Sequence, residues 1–144
     1  MAGAKFIIDD SDVRARLKQM SNLDTADMLD EVGSHMVSVI TRRFRTSTGP
    51  DGQQWLPSER ALETDGKTLV DRGHLRDSVT YVVGRSQVAI GTNIEYGAIH
   101  QFGGQAGRGR KVTLPARPYL GISGQDNAEI QDIMGDYIQG VIDR

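Results

Sequence analysis

Apolar residues recur at spacings of three and four through Met28, Leu29, Val32, Met36, Val39, Ile40 and Phe44, which predicts a long helix with one face turned to a core. It begins after Asp24 or Thr25 and runs to about Arg45. Arg42, Arg43 and Arg45 fall in its last turn, where cations offset the negative end of the helix dipole by about 0.3–1 kcal/mol each. A second stripe, Ile130, Ile133, Met134, Tyr137, Ile138, Val141 and Ile142, predicts a C-terminal helix that packs on a sheet or on another subunit. Ser123 and Asp126 stand in capping-box relation at its start.

Between these helices the period changes. Val79–Val83 and Val88–Thr92 are β-branched runs joined by Gly84, Arg85, Ser86 and Gln87, a hairpin with a four-residue loop. Lys5–Ile8 reads as a short strand, and the cluster Asp9, Asp10, Ser11, Asp12 offers caps for a helix carrying Val13, Leu17 and Met20. Ile94–Phe102 predicts a short helix started by Asn93 and ended by Gly103 and Gly104. Val112–Leu114 reads as a further strand, Pro115–Pro118 as an extended segment and Tyr119–Ile122 as an edge strand. Thr46–Thr68 is a polar connection with a turn at Pro50, Asp51, Gly52, and it holds the sole tryptophan, Trp55. The order of elements predicts a single α+β domain over residues 1–144, with a long amphipathic helix and a C-terminal helix on a small antiparallel sheet, and mobile loops at about 46–68 and 103–112.

Composition narrows the function classes. A formal net charge of −2 with interspersed signs argues against a surface built throughout for nucleic acid or anionic lipid. The absence of cysteine excludes disulfides and thiol nucleophiles. Residues Met1–Asp10 hold one short apolar run, Phe6 to Ile8, well short of a signal-peptide core or a membrane span, so a soluble protein is expected.

Candidate chemistry is sparse. His35, His74 and His100 lie in separate segments without metal-ligand spacing, so no metal or other cofactor is expected. Ser123 follows Leu120, Gly121 and Ile122 and precedes Gly124, which is not a nucleophile elbow, and a helix cap explains it better. Asp71 and Asp77 flank His74, an arrangement that reads more simply as a turn with local ion pairs than as an acid/base set. The loop Gly103–Lys111 is rich in glycine and cations but lacks both the P-loop ending and the dinucleotide fingerprint. Arg108, Arg110 and Lys111 there remain candidates for contact with a DNA backbone or an acidic partner.

Several segments carry a more specific signal: Gly49, Pro50, Asp51, Gly52 through Trp55; Lys67, Leu69, Gly73 and Leu75; Ile90 through Asn93; Tyr96, Ile99, His100, Gln101, Phe102, Gly103, Gly104; and Pro115 through Gly121. In this order, over about Phe44–Gly124, they resemble the phage virion morphogenesis family, the tail-completion proteins of Mu-like and related tailed bacteriophages. The resemblance implies a tail-terminator-like fold that assembles as a homo-oligomeric ring, usually a hexamer, at the head-proximal end of the tail. Its partners would be the tail-tube protein and the head-tail connector, with genomic DNA passing through the lumen in weak contact at most. The expected place is the virion, in tail or neck, after assembly in the host bacterial cytoplasm, with no membrane and no catalysis. On this reading Trp55, Tyr96, His100, Phe102, Arg117 and Tyr119 are interface candidates, and Arg108, Arg110 and Lys111 line the lumen. Trp55 either folds its own loop onto the domain or fills a neighbour's pocket, with the first favoured. The rival readings are a head-side connector or assembly factor, a DNA-contacting module, and a hydrolase acting through His74 or His100.

Overall fold

The computed structural model describes residues 1, 3–18 and 23–144. Strand β1 (Ala4–Asp9) pairs along its whole length with β3 (Gln87–Thr92), and β2 (Thr80–Val83) pairs with the other side of β3, giving an antiparallel sheet of order β1-β3-β2. The β2–β3 hairpin is tighter than the residues suggest. The Gly84 N–H donates to the Gln87 carbonyl at 2.7 Å, so Arg85 and Ser86 alone make the turn. Alternation along the strands sets Phe6, Ile8, Tyr81, Val83, Val88 and Ile90 on one face and Ile7, Val82 and Ala89 on the other.

Helix α1 (Ser11–Arg16) follows β1, and Met20, expected on its apolar side, lies outside the described residues. Asp10 does not cap it through its side chain. Its buried carboxylate instead accepts from Arg14 at 2.9 Å and from Thr25 at 2.6 Å, which ties α1 to the start of the next helix.

That helix, α2 (Ala26–Thr46), fits the periodic stripe closely, and Met28, Leu29, Val32, Met36, Ile40 and Phe44 are shielded from solvent. Each such burial contributes roughly 1.5–3 kcal/mol. α2 lies against β2 and β3. Gly33 permits the approach, since a methyl there would stand 2.4 Å from the Tyr81 ring. α6 (Gly124–Ile142) runs antiparallel to α2: Asp126 meets Arg43 near one end and the Tyr137 hydroxyl donates to the Asp24 carbonyl at the other. The C-terminal helix therefore packs chiefly on α2, a neighbour its own pattern does not name, and Ile142 at its end stays exposed. The Ser123–Asp126 capping box forms as the residues predict.

The connections are more structured than expected. Segment 46–68 contains α3 (Glu59–Thr64), capped by Ser58, and α4 (His74–Ser78) precedes β2. The short helix after β3 begins only at Gly97, as α5 (Gly97–Phe102), because a turn from Ile94 to Gly97 comes first. Residues 103–112, expected as a mobile loop, form part of a second hairpin, in which β4 (Gly104–Ala106) pairs with the expected strand β5 (Val112–Leu114) around a 3-10 turn at Arg108–Arg110. The edge strand expected at Tyr119–Ile122 does not form. The architecture is a single α+β domain.

Candidate functional site

Residues 115–121 form an extended strap, six of whose polar backbone atoms are met by side chains and by α5 instead of by a strand. The Arg117 N–H donates to the His100 carbonyl at 2.8 Å. The Gln101 side-chain oxygen accepts from the N–H groups of Tyr119 and Leu120 at 3.0 and 2.9 Å, while its amide nitrogen donates to the Leu120 carbonyl at 3.3 Å. Trp55 Nε1 donates to the Pro118 carbonyl at 2.8 Å, and Arg43 Nη1 to the Tyr119 carbonyl at 2.7 Å. These partners replace a sheet ladder, which is why the predicted edge strand is absent.

The strap fixes two aromatic side chains. The Tyr119 ring packs on Phe44 at 5.4 Å and its hydroxyl donates to the Gly97 carbonyl at 2.7 Å, while burial holds its ionisation far above the ordinary phenol range. Trp55 meets Phe44 edge to face at 5.6 Å. Close approach demands glycine at two points on α5 and its end: a Cβ on Gly97 would stand 2.8 Å from the Tyr119 hydroxyl, and one on Gly103 would stand 2.8 Å from the Ala116 nitrogen.

Beside the strap lies a cavity of about 350 Å³ bounded by α3, the turn before α4, α5 and the end of β5. Its titratable lining includes Arg60, Asp71, Arg72, His74, His100 and Arg117. Arg117 is only 6% exposed, and its Nε donates to the Leu56 carbonyl at 2.7 Å; among the described residues no carboxylate pairs with it and its Nη groups have no hydrogen-bond partner. Burial lowers its pKa. His100 has a buried Nδ1 with no partner, and desolvation, followed by the charge of Arg117, lowers its pKa and keeps it neutral. Arg60 leans on the Lys67 carbonyl at 2.7 Å and only loosely on Asp71, at 3.9 Å.

The structure brings Tyr96, His100 and Arg117 to this cavity, with the Tyr96 ring edge-on to His100 at 5.9 Å. Phe102 points elsewhere on the surface and is 72% exposed. Tyr119, expected at an interface, sits in the core of its own domain because Phe44 and Gly97 enclose it. Trp55 likewise folds its own connection onto the domain. His74 joins the cavity, whereas His35 stands on α2 with Nε2 2.6 Å from a Glu129 carboxylate oxygen but off the hydrogen-bonding line. Asp77 pairs with its neighbour Arg76 at 2.8 Å, the local ion pairing the turn suggested. Among the described residues no group of three metal-ligating side chains converges.

The sequence profile of the phage virion morphogenesis family matches residues 8–139. This chain belongs to that family. A Haemophilus influenzae protein named Mu-like prophage FluMu G protein 2 is 38% identical over 117 residues, 81% of this chain and 80% of its own length. The putative capsid assembly protein G of Escherichia phage Mu is 34% identical over 97 residues, 63% of this chain and 62% of its own. Mu-like prophage FluMu G protein 1 of Haemophilus influenzae is 26% identical over 140 residues, 90% of this chain and 91% of its own. No solved structure matches the chain.

For this virion morphogenesis protein, the residues that periodicity and motif reading passed over are Gln101 as the clamp of the strap and Arg43 as a buried ion-pair partner. Arg43 was legible in principle, because it follows Met36 and Ile40 on the same helical face as Phe44. Arg60 and Arg72 gave no such signal, since only the folded chain carries them to His100 and Arg117. Arg108, Arg110 and Lys111 are exposed at the tip of the β4–β5 hairpin, which meets the body chiefly through α5.

Proposed function

We propose that this virion morphogenesis protein is a tail-completion subunit, one of a ring of identical copies that caps the tail tube and joins the tail to the head. The observation that supports an assembly role is a sheet covered on one face only. Across its open face Ile7, Ala89 and Val82 stand opposite one another on three strands, with Ile7 46% and Val82 58% exposed. A domain that worked alone would gain stability by covering such a row. The work is geometric: one surface meets ring neighbours, one the tail tube and one the connector, with no bond made or broken. In the ring the hairpin tip with Arg108, Arg110 and Lys111 faces the lumen, where contact with passing DNA is weak and falls steeply with salt.

A second reading, a head-side connector or assembly factor, is favoured by one observation: the phage Mu relative is named for capsid assembly. Electron microscopy of particles made without this protein separates the two. Filled heads beside unjoined tails support tail completion, whereas missing or malformed heads overturn it in favour of the head-side reading.

A further inference from the structure

The cavity at the strap and the acidic side of α6 are complementary in charge. Helix α6 contains Asp126, Glu129, Asp132 and Asp136 and no lysine or arginine. Asp126 is spent on Arg43, but Glu129, Asp132 and Asp136, spaced at three and four, form a stripe on one helical side. The shallow groove beside them adds Asp30 and Glu31 of α2. Asp132 and Asp136 are exposed, and neither has an ion-pair partner among the described residues. The cavity offers Arg60, Arg72 and, behind them, Arg117 with free Nη donors and His100 with an unmet ring nitrogen, against a single acid, Asp71. The two patches share no residue and no secondary-structure element.

We infer that the Arg117 cavity is the socket for the acidic α6 stripe of a second copy of this chain, with Asp132 and Asp136 as the leading carboxylates. Two different, mutually complementary patches on one protomer are what a head-to-tail contact requires, and such contacts close into rings when the rotation permits. The Arg117 Nη groups face the cavity without a counter-charge, so an arriving carboxylate finds a charge-assisted, directional partner there. Arg72 and Arg60 at the mouth steer the approach. This assignment rests on the ring reading and names the contact that builds it.

The test is a mixing experiment on the full chain, with masses read by sedimentation over a range of concentrations. Arg72→Glu spoils the socket from an exposed position, and the paired change Asp132→Asn with Asp136→Asn spoils the stripe without creating a partner for the new glutamate; all three positions are exposed, so the fold is kept. Arg117→Met is a deeper socket variant, read only where circular dichroism shows native helix content. Each variant is expected to weaken self-association at least tenfold. A socket variant mixed with the stripe variant retains one good junction and is expected to give a 1:1 dimer that grows no further. Self-association unchanged in the variants overturns the socket while leaving the ring reading intact. Variants that dissociate but do not form the 1:1 dimer overturn the pairing of socket with stripe. A wild-type chain that stays monomeric alone and with tail tubes overturns both. Loss of duplex DNA binding in Arg72→Glu with assembly unchanged assigns the cavity to phosphate and overturns the proposal.

Discussion

Replacing Asp126 with alanine tests how the two long helices are joined. One carboxylate oxygen, Oδ2, accepts from Arg43 Nη2 at 2.6 Å and from the Ser123 N–H at 2.9 Å, with both side chains of the ion pair less than a tenth exposed. Removing it leaves Arg43 buried with only the Tyr119 carbonyl, and burial already lowers the pKa of that guanidinium. Breaking a buried pair from one side costs about 3–5 kcal/mol. Losing the reciprocal bond to the Ser123 N–H, half of the capping box, costs about 0.5–1.5 kcal/mol, but the two effects share one oxygen and do not add. The expected total is about 3–5 kcal/mol, a large part of the roughly 5–15 kcal/mol that holds a domain of this kind. Urea unfolding followed by the fluorescence of Trp55, which packs 5.6 Å from Phe44 beside Arg43, reads it directly. For a slope of roughly 2 kcal/mol per molar urea the midpoint falls by about 1.5–2.5 M. Arg43→Met alone should also destabilise, and the double variant should cost less than the sum by about 0.5–3 kcal/mol. A cost under about 1 kcal/mol, or one that disappears in high salt, would mean the pair behaves like an exposed bridge and would refute the reasoning.

Gly97→Ala places a methyl 2.6 Å from Thr92 Cγ2 and 2.8 Å from the Tyr119 hydroxyl, and is expected to lower stability by about 1–3 kcal/mol in thermal unfolding. Gly135→Ala, in α6 with nothing within 4 Å, should raise it by about 0.5–1 kcal/mol through helix propensity alone, and serves as its control. Trp55→Phe keeps the ring contact with Phe44 but leaves the Pro118 carbonyl without its donor, a loss of about 1–3 kcal/mol measurable by circular dichroism melts. His100 is held below its ordinary pKa by burial and by Arg117, so the unfolded chain binds the extra proton first as pH falls. Its contribution is therefore complete above about pH 6.5 and is lost as pH drops toward the lowered folded value; His100→Gln should flatten the stability profile in that window.

The elements that periodicity can specify were legible: α2, α6 with its capping box, the β2–β3 hairpin and the strand at the N-terminus each bury a regular stripe. Where the sequence reading departed, the cause was a long-range partner. Tyr119–Ile122 has the composition of a strand, but Gln101, Arg43 and Trp55 reach its backbone from three other segments, and no local rule counts those donors. Arg43 read as a dipole partner at a helix end because the aspartate that draws it inward lies 83 residues along the chain. The cavity was legible only in pieces, as His74, Tyr96, His100 and Arg117, since its convergence depends on how α3, α5 and the strap meet.

The placement of the motif residues bears on what the family signature records. Gln101, Gly103, Arg117 and Tyr119 serve inward, locking α5 to the strap, and Trp55 and Gly97 complete the same lock. A signature of this kind marks how the subunit folds before it marks what the subunit meets. The surfaces free to choose partners lie around the lock: the exposed Phe102, the row Ile7, Ala89 and Val82, the cationic hairpin tip and the acidic side of α6. Arg117 stands on the boundary between the two sets, because its Nε holds the Leu56 carbonyl within the subunit while its Nη groups face the cavity. A substitution there should disturb folding and assembly together, whereas Arg72 at the mouth should disturb assembly alone.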